Sequence, residues 1–174
     1  MELLGTRRIY DGKVVNLRVD TLRGPDGKTH DVEVVEHAEA VVVIVRPRPH
    51  EMLLVRQYRH PLAREHWEVV AGGMEAGESP EEAAARELRE ETGYGAHRVT
   101  RLWSAFSAPG FCDELLHFCV VDGYDVGEPQ RDEGEDGMQL GIFAIEELWR
   151  KIRADELADS KTQVAVLWAL SGRG

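Results

Sequence analysis

From residue 6 to 37 the chain alternates strand-like segments with turn signals: Asp11-Gly12, then VVNLRVDTL, then Gly24-Pro25-Asp26-Gly27, then HDVEVVEH. Alternation punctuated in this way predicts β-hairpin material. An isolated hairpin buries too little surface to be stable, so this one must lie on its own domain or on a partner subunit. Ala40 to Val45 is an unbroken Ala-Val-Val-Val-Ile-Val run, the pattern of a strand covered on both faces, and Pro47 and Pro49 close it. Met52 to Tyr58 predicts the next strand, with Arg56 and Arg59 following its apolar centre. Trp67-Glu68-Val69-Val70 predicts a short strand that delivers the chain into a glycine loop at Gly72.

Further along, residues 97 to 106 and 114 to 121 predict two strands joined by the turn Ser107-Ala108-Pro109-Gly110. A polar, glycine-containing loop from Gly127 to Gly137 separates them from a last strand near Gln139 to Ala144. Two helices finish the chain, from about Ile145 to Ala154 and from about Ser160 to Leu170. Strands interleaved with a few helices imply an α/β/α sandwich on a mixed β-sheet. There are no internal repeats and no linker, and 174 residues make a single domain with a full hydrophobic core.

Composition narrows the partners. The chain is 43% hydrophobic and 30% charged, and no apolar run approaches the roughly 20 residues that span a bilayer. The opening MELLGTRR lacks an apolar segment of useful length, so a cytoplasmic protein is expected. A net charge of −11 argues against nucleic acid or an anionic membrane as the main partner, because both reward clustered Lys and Arg. A phosphate ligand would have to be met locally, for instance by metal ions. Cys112 and Cys119 lack C-x-x-C spacing and read as reduced packing residues.

The chemistry concentrates between Gly72 and Tyr94, GGMEAGESPEEAAARELREETGY. Ser79, Pro80 and Glu82 supply an N-cap, a first-turn proline and an acid at the third helical position, and Gly93 supplies the stop. At about 100° per residue Glu87, Glu90 and Glu91 share one sector of this helix, while Ala84, Ala85 and Leu88 form an adjoining apolar stripe. Glutamate-rich helices are usually solvated, and in that reading Arg86 pairs with Glu82 and Glu90 at four-residue spacing. Like charges one turn apart repel, and a divalent cation removes the repulsion. Oxygen-only ligands beside a glycine loop suit Mg²⁺ or Mn²⁺ better than zinc.

The spacing decides between these readings. Gly72, five residues, Glu78, seven residues, Arg86-Glu87-Leu88, one residue, Glu90-Glu91, one residue, Gly93-Tyr94 resembles the Nudix box, the metal-binding loop-helix-loop of the Nudix hydrolases. Every polar and glycine position is filled; Tyr94 stands where that family usually has an aliphatic residue. The resemblance implies hydrolysis of a nucleoside diphosphate linked to another group. Divalent ions can bridge the phosphate oxygens, absorb developing charge and lower the pKa of a bound water. It implies Glu87 and Glu91 as central metal ligands, Glu90 as an assisting one, and the Ala71 carbonyl completing the shell. Glu78 then orients the helix and loop, and Arg86 pins Glu90.

The flanks resemble one branch, the ADP-ribose pyrophosphatases. Val55-Arg56-Gln57-Tyr58-Arg59 matches its V-R-Q-[aromatic]-R segment, and Pro109 stands sixteen residues beyond Gly93. Ser107 to Glu114 with His117-Phe118, Glu33 to His37, and Asp159-Ser160-Lys161-Thr162 match as well. This resemblance implies substrate contacts from Arg56 and from Arg59, the latter on the diphosphate or the terminal ribose. Glu114 then binds the terminal ribose. It also implies a homodimer in which the N-terminal β segment, residues 1–37, crosses to the other protomer, so that Glu33 holds the adenosine end with Val14 packing nearby. The resemblance also implies a catalytic base from the acidic loop before the last strand, Glu133 or Glu135. Counting an EF-hand from Asp132 puts Gly134 at the third ligand position and Phe143 at the twelfth, which excludes one. Val70 stands where the branch typically has proline, and no early tryptophan is present to sandwich adenine, leaving stacking to Tyr10 or another residue. GDP-mannose or another nucleotide sugar is the rival substrate. A non-catalytic nucleotide-sensing module is the rival class, against which all the box glutamates are retained.

Overall fold

The computed structural model of the chain describes residues 1–128 and 137–172. It divides into two compact units, Met1–Ala40 with Ser104–Leu116, and Val41–Trp103 with His117–Gly174.

The first unit carries β1 (Glu2–Asp11), β2 (Val15–Arg23) and β3 (Thr29–His37), an antiparallel sheet in the order β1-β2-β3. The hairpin expected from residue 6 is thus a three-stranded meander that starts at Glu2, because Glu2 and Leu3 pair with Arg23 and Leu22 and extend the ladder. Gly12 donates to the carbonyl of Val15 at 3.1 Å in the first turn. Gly27 makes the second with φ of 79°, a conformation that favours glycine. Arg18 pairs with Glu36 and with Asp20, Arg8 pairs with Glu36, and the Thr6 hydroxyl donates to Asp20 at 2.8 Å. Val35 exchanges backbone hydrogen bonds with the 104–116 segment, donating to Phe111 at 2.7 Å and accepting from Asp113 at 3.2 Å. All ten residues of β1 are exposed.

In the second unit, β4 (Ala40–Val45), β7 (Val70–Gly73), β8 (Gly95–Phe106) and β9 (Leu115–Asp125) form one sheet in the order β7-β4-β9-β8. A second sheet has the order β10-β5-β6, from β5 (Glu51–Arg59), β6 (Arg64–Glu68) and β10 (Gln139–Ala144), all antiparallel. Three helices, α1 (Pro80–Thr92), α2 (Ile145–Arg153) and α3 (Ser160–Leu170), complete an α/β fold. Every residue of β4 is buried, as its unbroken apolar run requires. The single strand expected over Trp67–Val70 is instead the end of β6 and the start of β7, split between the two sheets at Val69. A distant side chain accompanies the split: the Val69 N–H donates to the Thr162 hydroxyl of α3 at 2.9 Å.

The core of this unit joins Val41, Val43 and Val45 of β4, Leu53 and Val55 of β5, Val70, and Ala83, Ala84 and Leu88 of α1. Ala83, rather than Ala85, belongs to the apolar stripe of α1. Glu87 and Glu91 follow Ala83 at four-residue spacing and are buried with it, so the acids lie within the inward face and not beside it. Trp103 stacks on Phe118 at 5.0 Å and leans on Trp168 of α3. Cys112 and Cys119 are free; burial first, then the Glu81 charge, pushes the Cys119 thiol up to about 12, which suits a packing residue. No helix among the described residues is long and apolar enough to cross a membrane.

Candidate active site

The start of α1 is set by a full capping box: the Ser79 hydroxyl accepts from the Glu82 N–H at 3.3 Å, and the Glu82 carboxylate accepts from the Ser79 N–H at 2.9 Å. Glu82 is thereby committed to the cap and does not pair with Arg86, as four-residue spacing alone had allowed. Gly93 ends the helix at φ of 79° with its N–H on the Arg89 carbonyl. Tyr94, the residue that departs from the box pattern, stacks on Tyr124 at 4.7 Å and packs against the core.

Glu87 and Glu91 are 8% and 2% exposed, and Glu90 is half-buried. The Glu87 carboxylate lies against the backbone of Gly72: a Cβ on that glycine would fall 2.0 Å from its carboxyl carbon and 2.2 Å from both oxygens. Only glycine lets β7 and α1 approach with the carboxylate between them. Ala71 is the residue before it on β7.

Arg86 joins the loop to the helix. Its guanidinium donates to Glu78 through Nε and Nη2, both at 3.0 Å, to Glu87 at 2.7 Å, to Glu90 at 3.0 Å and to the Gly73 carbonyl at 2.8 Å. The expected grip on Glu90 is present but is one of four. The hydrogen bonds it donates to Glu78, then to Glu87, hold the guanidinium far above its ordinary value against partial burial. Arg86 in turn holds the Glu78 carboxyl low, with the Glu75 N–H assisting. Arg86→Met is expected to lower stability by about 2 kcal/mol, after discounting for solvent at this half-buried site, as read from urea midpoints.

One guanidinium against three carboxylates, with buried Glu91 alongside, leaves the cluster negative. Its donors are hard oxygens, and the Gly72 contact brings loop backbone up to them. Both features fit a divalent cation held by Glu87, Glu90 and Glu91. Among the described residues, no three His, Cys, Asp or Glu side chains already converge as a ready-made cage.

Beside these acids lies a second charged cluster. Arg59, at the end of β5, donates Nε and Nη2 to the two oxygens of Glu68 at 2.7 and 2.8 Å, and the Glu68 side chain is only 3% exposed. Lys161 of α3 reaches Glu68 at 3.5 Å and Asp159 at 2.7 Å. The Glu68 hydrogen bonds come first in raising the Arg59 guanidinium above its ordinary value; burial opposes them, and the charges of Glu68, Glu91 and Asp159 add to them. Arg59, Arg64, His66, Glu68, Asp159 and Lys161 line a cleft of about 370 Å³. The sequence reading assigned no role to Glu68, although a charged residue inside Trp67-Glu68-Val69-Val70 was a visible anomaly.

Burial disfavours the charge on Asp159, but Lys161, the Thr162 hydroxyl and the Thr162 N–H outweigh it and hold the carboxyl below its ordinary 3.8. A carboxylate held low in the folded state adds stability that is present above its unfolded value and is lost as pH falls through its folded value. Asp159→Asn is therefore expected to cost about 1 kcal/mol at neutral pH. It should also flatten the acid limb of stability, measured as denaturant midpoints from neutral pH to below 3.8.

The remaining candidates separate. Arg56 pairs with Glu65 and reaches Gln139 at 3.5 Å. Glu114, Glu33 and Val14 belong to the first unit. There the His37 ring faces Glu114 at 3.4 Å, Glu33 is exposed on β3, and Val14 is exposed in the turn after β1. Glu133 and Glu135 lie outside the described residues.

A profile of the NUDIX domain family matches residues 36–164. The chain belongs to the Nudix family and is a Nudix hydrolase, a class that generally needs divalent metal ions. It is 35% identical over 164 residues to the ADP-ribose pyrophosphatase of Bacillus subtilis (strain 168), covering 94% of this chain and 89% of that protein. It is 38% identical over 162 residues to the methanol dehydrogenase activator of Bacillus methanolicus, covering 92% and 88%. A crystal structure of an ADP compounds hydrolase shares the fold, with a TM-score of 0.86 at 20% identity over 99% of this chain and 95% of that one.

Proposed function

We propose that the chain hydrolyses the diphosphate of ADP-ribose to AMP and ribose 5-phosphate, with Mg²⁺ as its ion and Mn²⁺ as an alternative. The observation that carries this reading is the buried Glu87 and Glu91 pair of α1, Glu87 lying against Gly72 of β7, with the cationic Arg59 close enough for the Glu91 charge to act on it. Relatives named for ADP-ribose hydrolysis that cover most of the chain add support. Bound divalent ions would neutralise the diphosphate and make a water more acidic. Glu87, Glu90 and Glu91 hold the charge, Arg86 keeps them in place, and Arg59 and Arg56 meet the substrate. One water adds to one phosphorus and the bridging P–O bond breaks, so each product leaves with one phosphate. The base is Glu133 or Glu135. Glu133→Gln is expected to slow turnover by about a hundredfold while leaving substrate binding nearly unchanged. The same outcome from Glu135→Gln, with Glu133→Gln neutral, would move the assignment.

The full chain works as one functional domain within a homodimer. Support comes from β1, an edge strand exposed along its whole length, on which Leu3, Leu4, Ile9 and Tyr10 offer apolar surface to a second copy. Glu33 and Val14 would serve the adenosine end from that segment, and Glu114 the terminal ribose. The free Cys112 and Cys119 support a reducing, cytoplasmic setting. A substrate panel with Mg²⁺ tests the activity: preference for ADP-ribose over GDP-mannose supports the reading, the reverse preference replaces the substrate, and no turnover of any nucleotide sugar removes it.

A further inference from the structure

The first residues of α3 grip the chain at the β6–β7 junction by two independent bonds. Thr162 accepts the Val69 N–H on its hydroxyl oxygen at 2.9 Å and donates its own O–H to Asp159 at 2.6 Å. Lys161 bridges Asp159, at 2.7 Å, and the Glu68 carboxylate, at 3.5 Å. Glu68 and Val69 are adjacent, so one side chain and one backbone amide are tied to the same helical turn. Asp159 closes the arrangement by capping α3 through the Thr162 N–H at 2.9 Å. All four tying side chains are largely removed from solvent: Glu68 is 3% exposed, Asp159 11%, Lys161 20%, and Thr162 is fully buried.

The object held by this scaffold is the Arg59 guanidinium. Its Nε and Nη2 edge is engaged side-on by both Glu68 oxygens. Among the described residues, its Nη1 makes no hydrogen bond, and Arg59 lines the cleft. A fork docked on one edge presents the other in a fixed direction, which is what bidentate recognition of a phosphate requires. A carboxylate with one cation can swing with it; a carboxylate shared between two cations is fixed by the second.

We propose that Lys161 is a positioning residue for substrate binding: through Glu68 it fixes the plane of the Arg59 guanidinium. The inference rests on the reading of Arg59 as a substrate contact. It assigns a purpose to the Asp159-Ser160-Lys161-Thr162 stretch, which that reading left without one.

The test is a double-mutant cycle on the full-length protein with ADP-ribose and Mg²⁺, using Lys161→Met, Arg59→Lys and the pair, with Lys161→Gln and Lys161→Arg alongside. Arg59→Lys keeps a cation on buried Glu68, so the fold is not asked to bear an uncompensated charge. Lys161→Met and Lys161→Gln are expected to raise KM about tenfold with kcat within about twofold, the signature of lost ground-state binding. Lys161→Arg should restore KM to within about threefold, because it restores a cation on Glu68. In the Arg59→Lys background, Lys161→Met should add less than about twofold, since the group it positions is gone. Multiplying effects in the pair, a fall in thermal midpoint with KM unchanged, or failure of Lys161→Arg to restore KM would each overturn the positioning role. Arg59→Lys alone leaving kcat/KM intact would instead overturn the Arg59 contact itself, and the positioning role with it.

Discussion

Replacing Glu91 by Gln, or Glu87 by Gln, is expected to reduce kcat by a thousandfold or more, about 4 kcal/mol of transition-state stabilisation. The two side chains are nearly isosteric with glutamine, so the change removes charge and leaves volume. Both are buried, Glu91 at 2% exposure, on a helix face that already holds more carboxylates than Arg86 can balance. Removing one negative charge from such a face does not unfold it. The metal-free variants should melt at or above the wild-type midpoint, while the added stability conferred by Mg²⁺ should shrink or vanish. Turnover of ADP-ribose and a thermal shift with and without Mg²⁺ read the two effects separately. Undiminished turnover in either variant would remove the metal assignment of Glu87 and Glu91.

Gly72→Ala is expected to lower kcat by about a hundredfold with only a small change in thermal midpoint. The added methyl would sit 2.0 to 2.2 Å from the Glu87 carboxyl group, far inside contact distance. What it meets is the far end of a flexible side chain, so the clash is relieved by moving the carboxylate and not the backbone. Stability is therefore largely preserved. The displaced group is the one proposed to hold the ion, and a shift on the order of 1 Å at such a position is enough for that loss. Steady-state kinetics beside a melting curve test it; a large fall in midpoint with kcat retained would mean that the glycine serves only packing.

The helix that carries the acids was legible because its signals are local. Ser79, Pro80, Glu82 and Gly93 each act on backbone groups within a few residues, and the observed helix runs from Pro80 to Thr92 with the cap they specify. The buried strand Ala40–Val45 was equally plain from its apolar run, and the last helix runs from Ser160 to Leu170 as expected. Trp67 to Val70 misled because its composition is that of one strand. Its division between two sheets is accompanied by a bond to a hydroxyl 93 residues away, that of Thr162.

The same distinction holds for the site. Sequence alone determined that Arg86, Glu87, Glu90 and Glu91, the residues proposed to bear the chemistry, share one helix, because spacing along a helix sets direction in space. It also marked Arg59 and the Asp159-Ser160-Lys161-Thr162 stretch, without relating them. Tertiary structure decided that Glu87 rests on Gly72, that Arg86 serves three carboxylates and a carbonyl, and that Arg59 and Lys161 share Glu68. These are contacts of α1 with β7 and the loop before it, and of β5 with β6 and α3. Side chains distant in sequence meet only when a packed core fixes the elements that carry them, and no local pattern encodes that meeting.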